Sequence, residues 1–177
     1  MKTTRTLKLI TLTAAIFGFA ATSFAQNNTA KATANAGILS TININKETDL
    51  DFGLILSSSS AQDAVVTPLG ALTGVATAGG EISAASFTVS GVGGENVNIT
   101  ITDLPSVVTN EDSDTMEIDT WTSSIADFAV SGTGATGSCI LEGGEKAFSI
   151  GATLRIAARQ LAGTYESGEF HVTVAFE

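Results

Sequence analysis

Apolar and polar residues alternate along most of the chain from residue 38 onwards, and this alternation limits the fold more than any other feature. Ile42 and Ile44 share one parity near the start, and Val172, Val174 and Phe176 share one near the end. Because the side chains of a β-strand point to opposite faces in turn, a repeat of two predicts strands with one buried face. After residue 25, no window keeps the spacing of three and four that an amphipathic helix needs. The pattern predicts an all-β protein.

The alternating runs are short and are separated by glycine-rich or polar turns, which predicts about eight to ten strands. These strands are expected within residues 38–44, 50–56, 65–69, 72–77, 87–89, 97–101, 116–118, 128–130, 148–156 and 170–176. Gly91, Gly93 and Gly94 mark a hairpin-like turn, so the strands on either side of it are expected to pair. Strands of this length and spacing are typical of an immunoglobulin-like antiparallel β-sandwich.

Residues 1–25 have the pattern of a cleavable secretory signal peptide. A basic start precedes an uncharged apolar stretch, and Ser23 and Ala25 place small side chains where a signal peptidase cuts. The apolar stretch is short for a membrane span and has no basic stop-transfer flank, which makes a retained anchor the weaker interpretation. We therefore expect an exported protein of the periplasm, cell surface or extracellular space, with a polar leader over 26–36 and one domain over 37–177.

The chain is acidic, with 18 Asp and Glu against 8 Lys and Arg and a formal net charge of −10. Three of the basic residues, Lys2, Arg5 and Lys8, lie in the predicted signal peptide, so the mature protein is more acidic still. Such a surface does not neutralise phosphates, and we expect no nucleic-acid partner. After residue 25 no apolar run approaches the length of a bilayer span, so no membrane insertion is expected once the signal is cleaved.

No motif in the mature chain predicts an enzyme or a cofactor site. Segment 132–137 has the letters of a dinucleotide fingerprint, but no helix is predicted after it, and we interpret it as a loop. His171 is the only histidine and is predicted on the exposed face of the last strand. Cys139 is the only cysteine, which excludes an intramolecular disulfide and leaves both a buried side chain and a reactive thiol open. We expect no catalytic residue, cofactor or metal.

Acidic residues are densest between Asp103 and Asp119. Carboxylate oxygens suit Ca²⁺, although the spacing of an EF-hand loop is missing, and Glu117 is predicted on the solvent face of its strand. The single Trp121 and the single Tyr165 would serve as platforms for a sugar if they were exposed beside polar groups. A binding module for a glycan or calcium is therefore the alternative function.

Two alternating segments, one at each end of the mature chain, predict assembly. The last strand carries Phe170, Val172, Val174 and Phe176 on one parity. The leader carries small or apolar residues on one parity, namely Ala30, Ala32, Ala34, Ala36 and Ile38. An unpaired strand edge accepts a strand from the same chain or from a neighbour. The alternation alone does not indicate whether the last strand pairs with the leader of its own chain or with a strand of a neighbouring chain.

Several phrases of the sequence resemble a known bacterial family. They are Leu-Asp-Phe-Gly at 50–53, Phe-Thr-Val-Ser-Gly at 87–91, Ala-Gly-Thr-Tyr at 162–165 and Val-Thr-Val at 172–174. In this order they resemble exported proteins known only as domain of unknown function forty-four-oh-two, a family similar to fimbrial subunits and to the spore coat protein U group. The resemblance implies a non-enzymatic subunit that assembles with itself or with other surface subunits. The lone Cys139 departs from the N-terminal disulfide of chaperone–usher subunits.

Overall fold

The computed structural model describes residues 29–38 and 40–177, and this part of the protein is all-β with antiparallel pairing, as expected. The predicted signal peptide, 1–25, lies outside the described residues, as do positions 26–28 and 39. In chain order the strands are β1 Asn43–Thr48, β2 Asp51–Ile55, β3 Gln62–Val66, β4 Leu72–Thr73, β5 Thr77–Ser83, β6 Ala85–Ser90, β7 Asn96–Thr102, β8 Val107–Thr109, β9 Thr115–Ser123, β10 Ala126–Ser131, β11 Gly134–Ile140, β12 Glu145–Ile156 and β13 His171–Phe176. A 3₁₀ turn at Glu142–Gly144 is the one helical segment within the described ranges.

Three sheets contain these strands. In the seven-stranded sheet the order is β1-β6-β12-β3-β4, while β9 pairs with β12 and β8 pairs with β9. The four-stranded sheet has the order β10-β11-β7-β13, and β2 pairs with β5 in a two-stranded sheet. The described residues form more strands than the eight to ten expected, because β5, β8 and β11 add to the expected segments. Strand β8 has only three residues, too few for a visible alternation, and β5 and β11 each contain two glycines that interrupt it.

Strand β12 is the longest strand and is paired along both edges. Its first half pairs with β6 and its second half with β3 on one edge, while β9 pairs with the second half on the other edge. Gly151 lies where β6 gives way to β3, and a Cβ at this position would collide with the Val66 carbonyl. Two strands can follow one another along this edge because residue 151 has no side chain.

Two hydrophobic clusters form the core. The larger cluster takes residues from the seven-stranded and the four-stranded sheets, among them Phe87, Val89, Val97, Ile99, Ile101, Ala135, Phe148 and Ile150. The smaller cluster lies further along β12 and consists of Ala64, Val108, Met116, Ile118, Ala152, Leu154 and Ile156. Strand β12 contributes to both clusters, since its even-numbered residues from 148 to 156 are all buried.

The expected pairing across Gly91, Gly93 and Gly94 is wrong. Strand β6 pairs with β1 and β12, whereas β7 pairs with β11 and β13, so the connection passes from one sheet to the other. The Gly91 amide donates to the Gly144 carbonyl at 2.9 Å, and the Gly94 amide donates to the Leu141 carbonyl at 2.8 Å. A turn signal predicts that the chain reverses, but the strand partner depends on contacts that are distant in sequence.

The interpretation of segment 132–137 as a loop is also wrong for most of its length. The turn ends with Thr133, and β11 begins at Gly134. A Cβ on Gly134 would lie 3.1 Å from the Ile101 carbonyl oxygen, and one on Gly137 would lie 2.8 Å from Cγ2 of Ile125. These glycines therefore allow close packing within a sheet, which the sequence does not distinguish from turn glycines.

A bulge in β9 turns Trp121 towards the core. The register with β12 shifts between the pair Gly151 and Thr122 and the pair Thr153 and Asp119, and Thr120 between them has a left-handed φ of 48°. One extra residue reverses the alternation, because successive side chains of a strand point to opposite faces. Trp121 consequently packs against both core clusters.

We expect Gly151→Ala to destabilise the protein by about 1 to 3 kcal/mol, as overpacked sites do. The physical reason is the collision of the new methyl group with the backbone of β3. Urea unfolding followed by circular dichroism measures the change. Gly168→Ala is the matched control, because nothing lies within 4 Å of its Cβ position. Equal unfolding midpoints for the two variants would contradict this account of the β12 junction.

Candidate functional site

Strand β13 lies at an edge of the four-stranded sheet and is paired with β7 alone within residues 40–177. The Glu177 amide donates to the Asn96 carbonyl at 3.1 Å, which makes these two residues a hydrogen-bonded pair. In an antiparallel ladder such pairs alternate with pairs whose backbone groups point away from the partner. The N–H and C=O groups of Val172, Val174 and Phe176 therefore point to the unpaired edge. They form a ready template for one more strand.

The inward-facing side chains of β13 are only half-buried. Val172, Val174 and Phe176 pack against the larger core cluster but remain partly exposed, whereas Val97 on neighbouring β7 is completely buried. Phe170 lies one residue before the strand, and its ring contacts those of Trp121 and Phe87 at centroid distances of 5.7 and 6.3 Å. The structure therefore places all four predicted assembly residues of the last strand against the core.

The predicted donor leader has a different structure from the domain. Residues 29–38 form no strand, and all of them are exposed. Ala30, Ala32, Ala34 and Ala36 belong to this segment, and Ile38 is 98% exposed. The alanine side chains and Ile38 of the leader are therefore exposed, and its backbone pairs with no strand of the described residues.

Strands β1 and β13 approach each other at Gly91. The position of a Cβ on Gly91 lies 3.3 Å from Cζ of Phe176 and 3.2 Å from the carbonyl oxygen of Thr41, the residue two before β1. Ile44 of β1 packs against the same core cluster as Phe176. The edge strands β1 and β13 of the two sheets therefore lie on the same side of the core.

The acidic segment does not form a metal site within the described ranges, where no group of three or more Asp, Glu, His or Cys side chains could hold an ion. Its loop is organised by Asn110, which accepts a hydrogen bond from the Asp114 amide at 2.7 Å and donates to the Asp114 carboxylate at 3.1 Å. Met116 is buried while Glu117 is exposed, so the predicted solvent face of β9 is confirmed. His171 is also exposed, as predicted, and its Nδ1 lies 3.3 Å from Asp103 Oδ2.

An ion-pair network that the sequence does not predict lies on the outer face of the seven-stranded sheet. Arg155 of β12 contacts Asp63 of β3 at 2.6 Å and Asp119 of β9 at 3.0 Å. The hydrogen bonds to Asp119 raise the pKa of the guanidinium. The network links the central strand to a neighbour on each side. Its partners are far apart in sequence, so no local spacing could have indicated it.

Trp121 and Tyr165 line one cleft over the smaller core cluster. Trp121 is half-buried, and the Tyr165 hydroxyl donates to the Leu161 carbonyl at 2.9 Å and accepts from Gln160 Nε2 at 2.9 Å. Their rings therefore do not form the exposed platform that a glycan module would need, although they lie in the same depression.

A family model described as a domain of unknown function (DUF4402) matches residues 42–176, and the chain belongs to this family. The expected family membership is thereby confirmed. No curated protein matches the chain. No helix within the described ranges is long and apolar enough to cross a bilayer.

We expect Cys139 to react slowly with iodoacetamide near neutral pH. Its side chain packs against the larger core cluster, and burial raises the pKa of the thiol, while Lys146 opposes the shift. Since the thiolate is the reactive form, the reaction rate should rise at a higher pH than for free cysteine. Lys146→Gln should move the midpoint of this rate profile further up, and Lys46→Gln, a matched change elsewhere, should not. A midpoint at or below that of free cysteine would contradict the burial argument.

Proposed function

We propose that the protein is an exported, non-enzymatic surface subunit that assembles by strand complementation. In this proposal the leader of one copy, Ala30 to Ile38, adds to the edge of β13 in the next copy. The observation that carries it is the unpaired edge of β13, with half-buried apolar side chains beneath it. The signal-like pattern of residues 1–25 and the resemblance to fimbrial subunits support export to the cell surface.

The strand order supports an immunoglobulin-like sandwich that lacks one strand. Such a domain has strands A, B, E and D in one sheet and C, F and G in the other. Here β1, β6, β12 and β9 pair in the order of A, B, E and D, and β7 pairs with β13 as C pairs with F. All six appear in the matching chain order. Strand G would lie beside β13, a position that none of the described strands occupies.

Tyr165 supports the same assignment. Sandwiches of this type often have a tyrosine near the start of strand F whose hydroxyl bonds to the backbone a few residues upstream. Tyr165 precedes β13 and donates to the carbonyl of Leu161, four residues before it. The bond holds the connection from β12 to β13 in place and thereby supports the position of the edge strand.

The composition of the leader suits the proposed site. Phe176 and the backbone at Thr41 both lie close to Gly91, where β1 and β13 approach each other. The leader offers methyl groups on one parity and polar groups on the other. Added to β13, it would bury the methyl groups against the core and pair its backbone with the unpaired groups of the edge.

We expect deletion of residues 26–36 to abolish assembly of the purified mature protein while the domain remains folded. Size-exclusion chromatography with light scattering measures the assembly state, and the thermal unfolding midpoint reports folding.

A sharper version of this test compares the point variants Ala34→Asp and Asn35→Asp. Ala34→Asp places a charge on the side of the leader that is proposed to be buried. It should weaken assembly about tenfold or more, because burying an unpaired charge is costly. The second should assemble normally. Unchanged assembly after the deletion would show that the leader is not the donor.

We expect Val174→Pro to block assembly without unfolding the monomer. The N–H group that proline removes points to the unpaired edge, so pairing with β7 is kept. Ala175→Lys is the matched control on the same strand, since its N–H group is bonded to β7 and its side chain is exposed. Loss of assembly in both variants, or in neither, would mean that the backbone edge of β13 is not the acceptor.

A further inference from the structure

A cleft of about 1050 Å³ lies over the smaller core cluster. Strand β2 forms one wall, and the connection 160–170 between β12 and β13 forms the other. The floor consists of apolar side chains of the seven-stranded sheet, namely Val108, Met116, Ile118, Trp121, Leu154 and Ile156. This part of the seven-stranded sheet is therefore only partly covered by residues 50–55 and 160–170, and its apolar side chains are accessible from the cleft.

The walls expose apolar side chains. Leu54 on the β2 wall and Leu161 on the opposite wall are each 63% exposed. The aromatic ring of Phe52 also lines the cleft. Large exposed apolar side chains that line one depression beside a polar rim are typical of a binding surface, since isolated surface leucines would not share one depression.

The rim is strongly acidic. Its carboxylates are Asp49, Asp51, Glu81, Glu166 and Glu169, and the only basic residue among the lining positions is Lys46. The Lys46 ammonium lies 2.6 Å from Asp49 Oδ1, so its charge is already paired. The cleft therefore favours an occupant with positive charge and excludes an acidic one.

Strand β2 also offers a backbone edge. It pairs with β5 along one edge only within the described residues. An extended segment placed in the cleft could pair with β2 and direct alternate side chains towards the floor and the rim.

We propose that this cleft binds an extended basic segment of a partner protein, with apolar side chains on the floor and Lys or Arg side chains at the rim. The cleft shares Phe170 with the predicted assembly strand, but the edge residues proposed for pairing, Val172, Val174 and Phe176, do not line it, so each proposal can fail without the other. Trp121, the only tryptophan in the chain, is part of the floor and reports occupancy by its fluorescence.

The test titrates the mature protein with a capped hexapeptide of alternating Lys and Leu and follows Trp121 fluorescence. Two probes of equal length, alternating Glu with Leu and Lys with Ser, separate the charge requirement from the apolar requirement. We expect saturable binding of the Lys-Leu peptide alone, weakened by added salt. Equal binding of the Glu-Leu peptide, or no binding of the Lys-Leu peptide, would overturn the proposal.

Two variant pairs localise the binding. The double variant Glu166→Gln and Glu169→Gln should weaken it about threefold to tenfold, because each rim charge is exposed and contributes modestly. The double variant Glu117→Gln and Glu145→Gln, at positions outside the cleft, should not weaken binding.

Leu161→Asn should weaken binding, while Leu69→Asn, at a more exposed leucine that does not line the cleft, should leave it unchanged. Equal effects within either pair would place the peptide elsewhere. Tighter binding of a peptide of residues 29–38 would make the leader the occupant and overturn the partner assignment.

Discussion

The pairing of β12 along both of its edges is the constraint on which the other features depend. Its first half brings Phe148 and Ile150 into the larger core cluster, and its second half brings Leu154 and Ile156 into the smaller one. The junction requires Gly151, because the backbone of β3 occupies the space that a side chain would take. The same strand also contributes Leu154 and Ile156 to the floor of the cleft.

In the four-stranded sheet, pairing stops at β13. Strand β13 completes the four-stranded sheet on one edge and leaves the other without a partner among the described strands. In the proposed assignment, an immunoglobulin-like sandwich without strand G would expose part of its core there, and a donated strand would cover it. The half-buried Val174 and Phe176 are the physical reason to expect a seventh strand.

The alternation predicted the all-β fold and the inward parity of both β7 and β13, because one buried face per strand is a local property of the sequence. Non-local features could not be predicted in the same way. The bulge at Thr120 reverses the parity that would otherwise direct Trp121 outwards. Gly134 resembles a loop residue but lies in β11, and the Arg155 ion pairs join strands that are distant in sequence. Each depends on a neighbour that only the fold brings close.

Amide hydrogen exchange along β13, measured residue by residue by NMR, tests the unpaired edge most directly. In the monomer lacking the leader, the amides of Val172, Val174 and Phe176 should exchange rapidly, while those of Thr173 and Ala175 should be protected by β7. Assembly of the full mature chain should protect all five. Uniform protection along β13 in the monomer, or rapid exchange at Val174 that persists after assembly, would contradict the account.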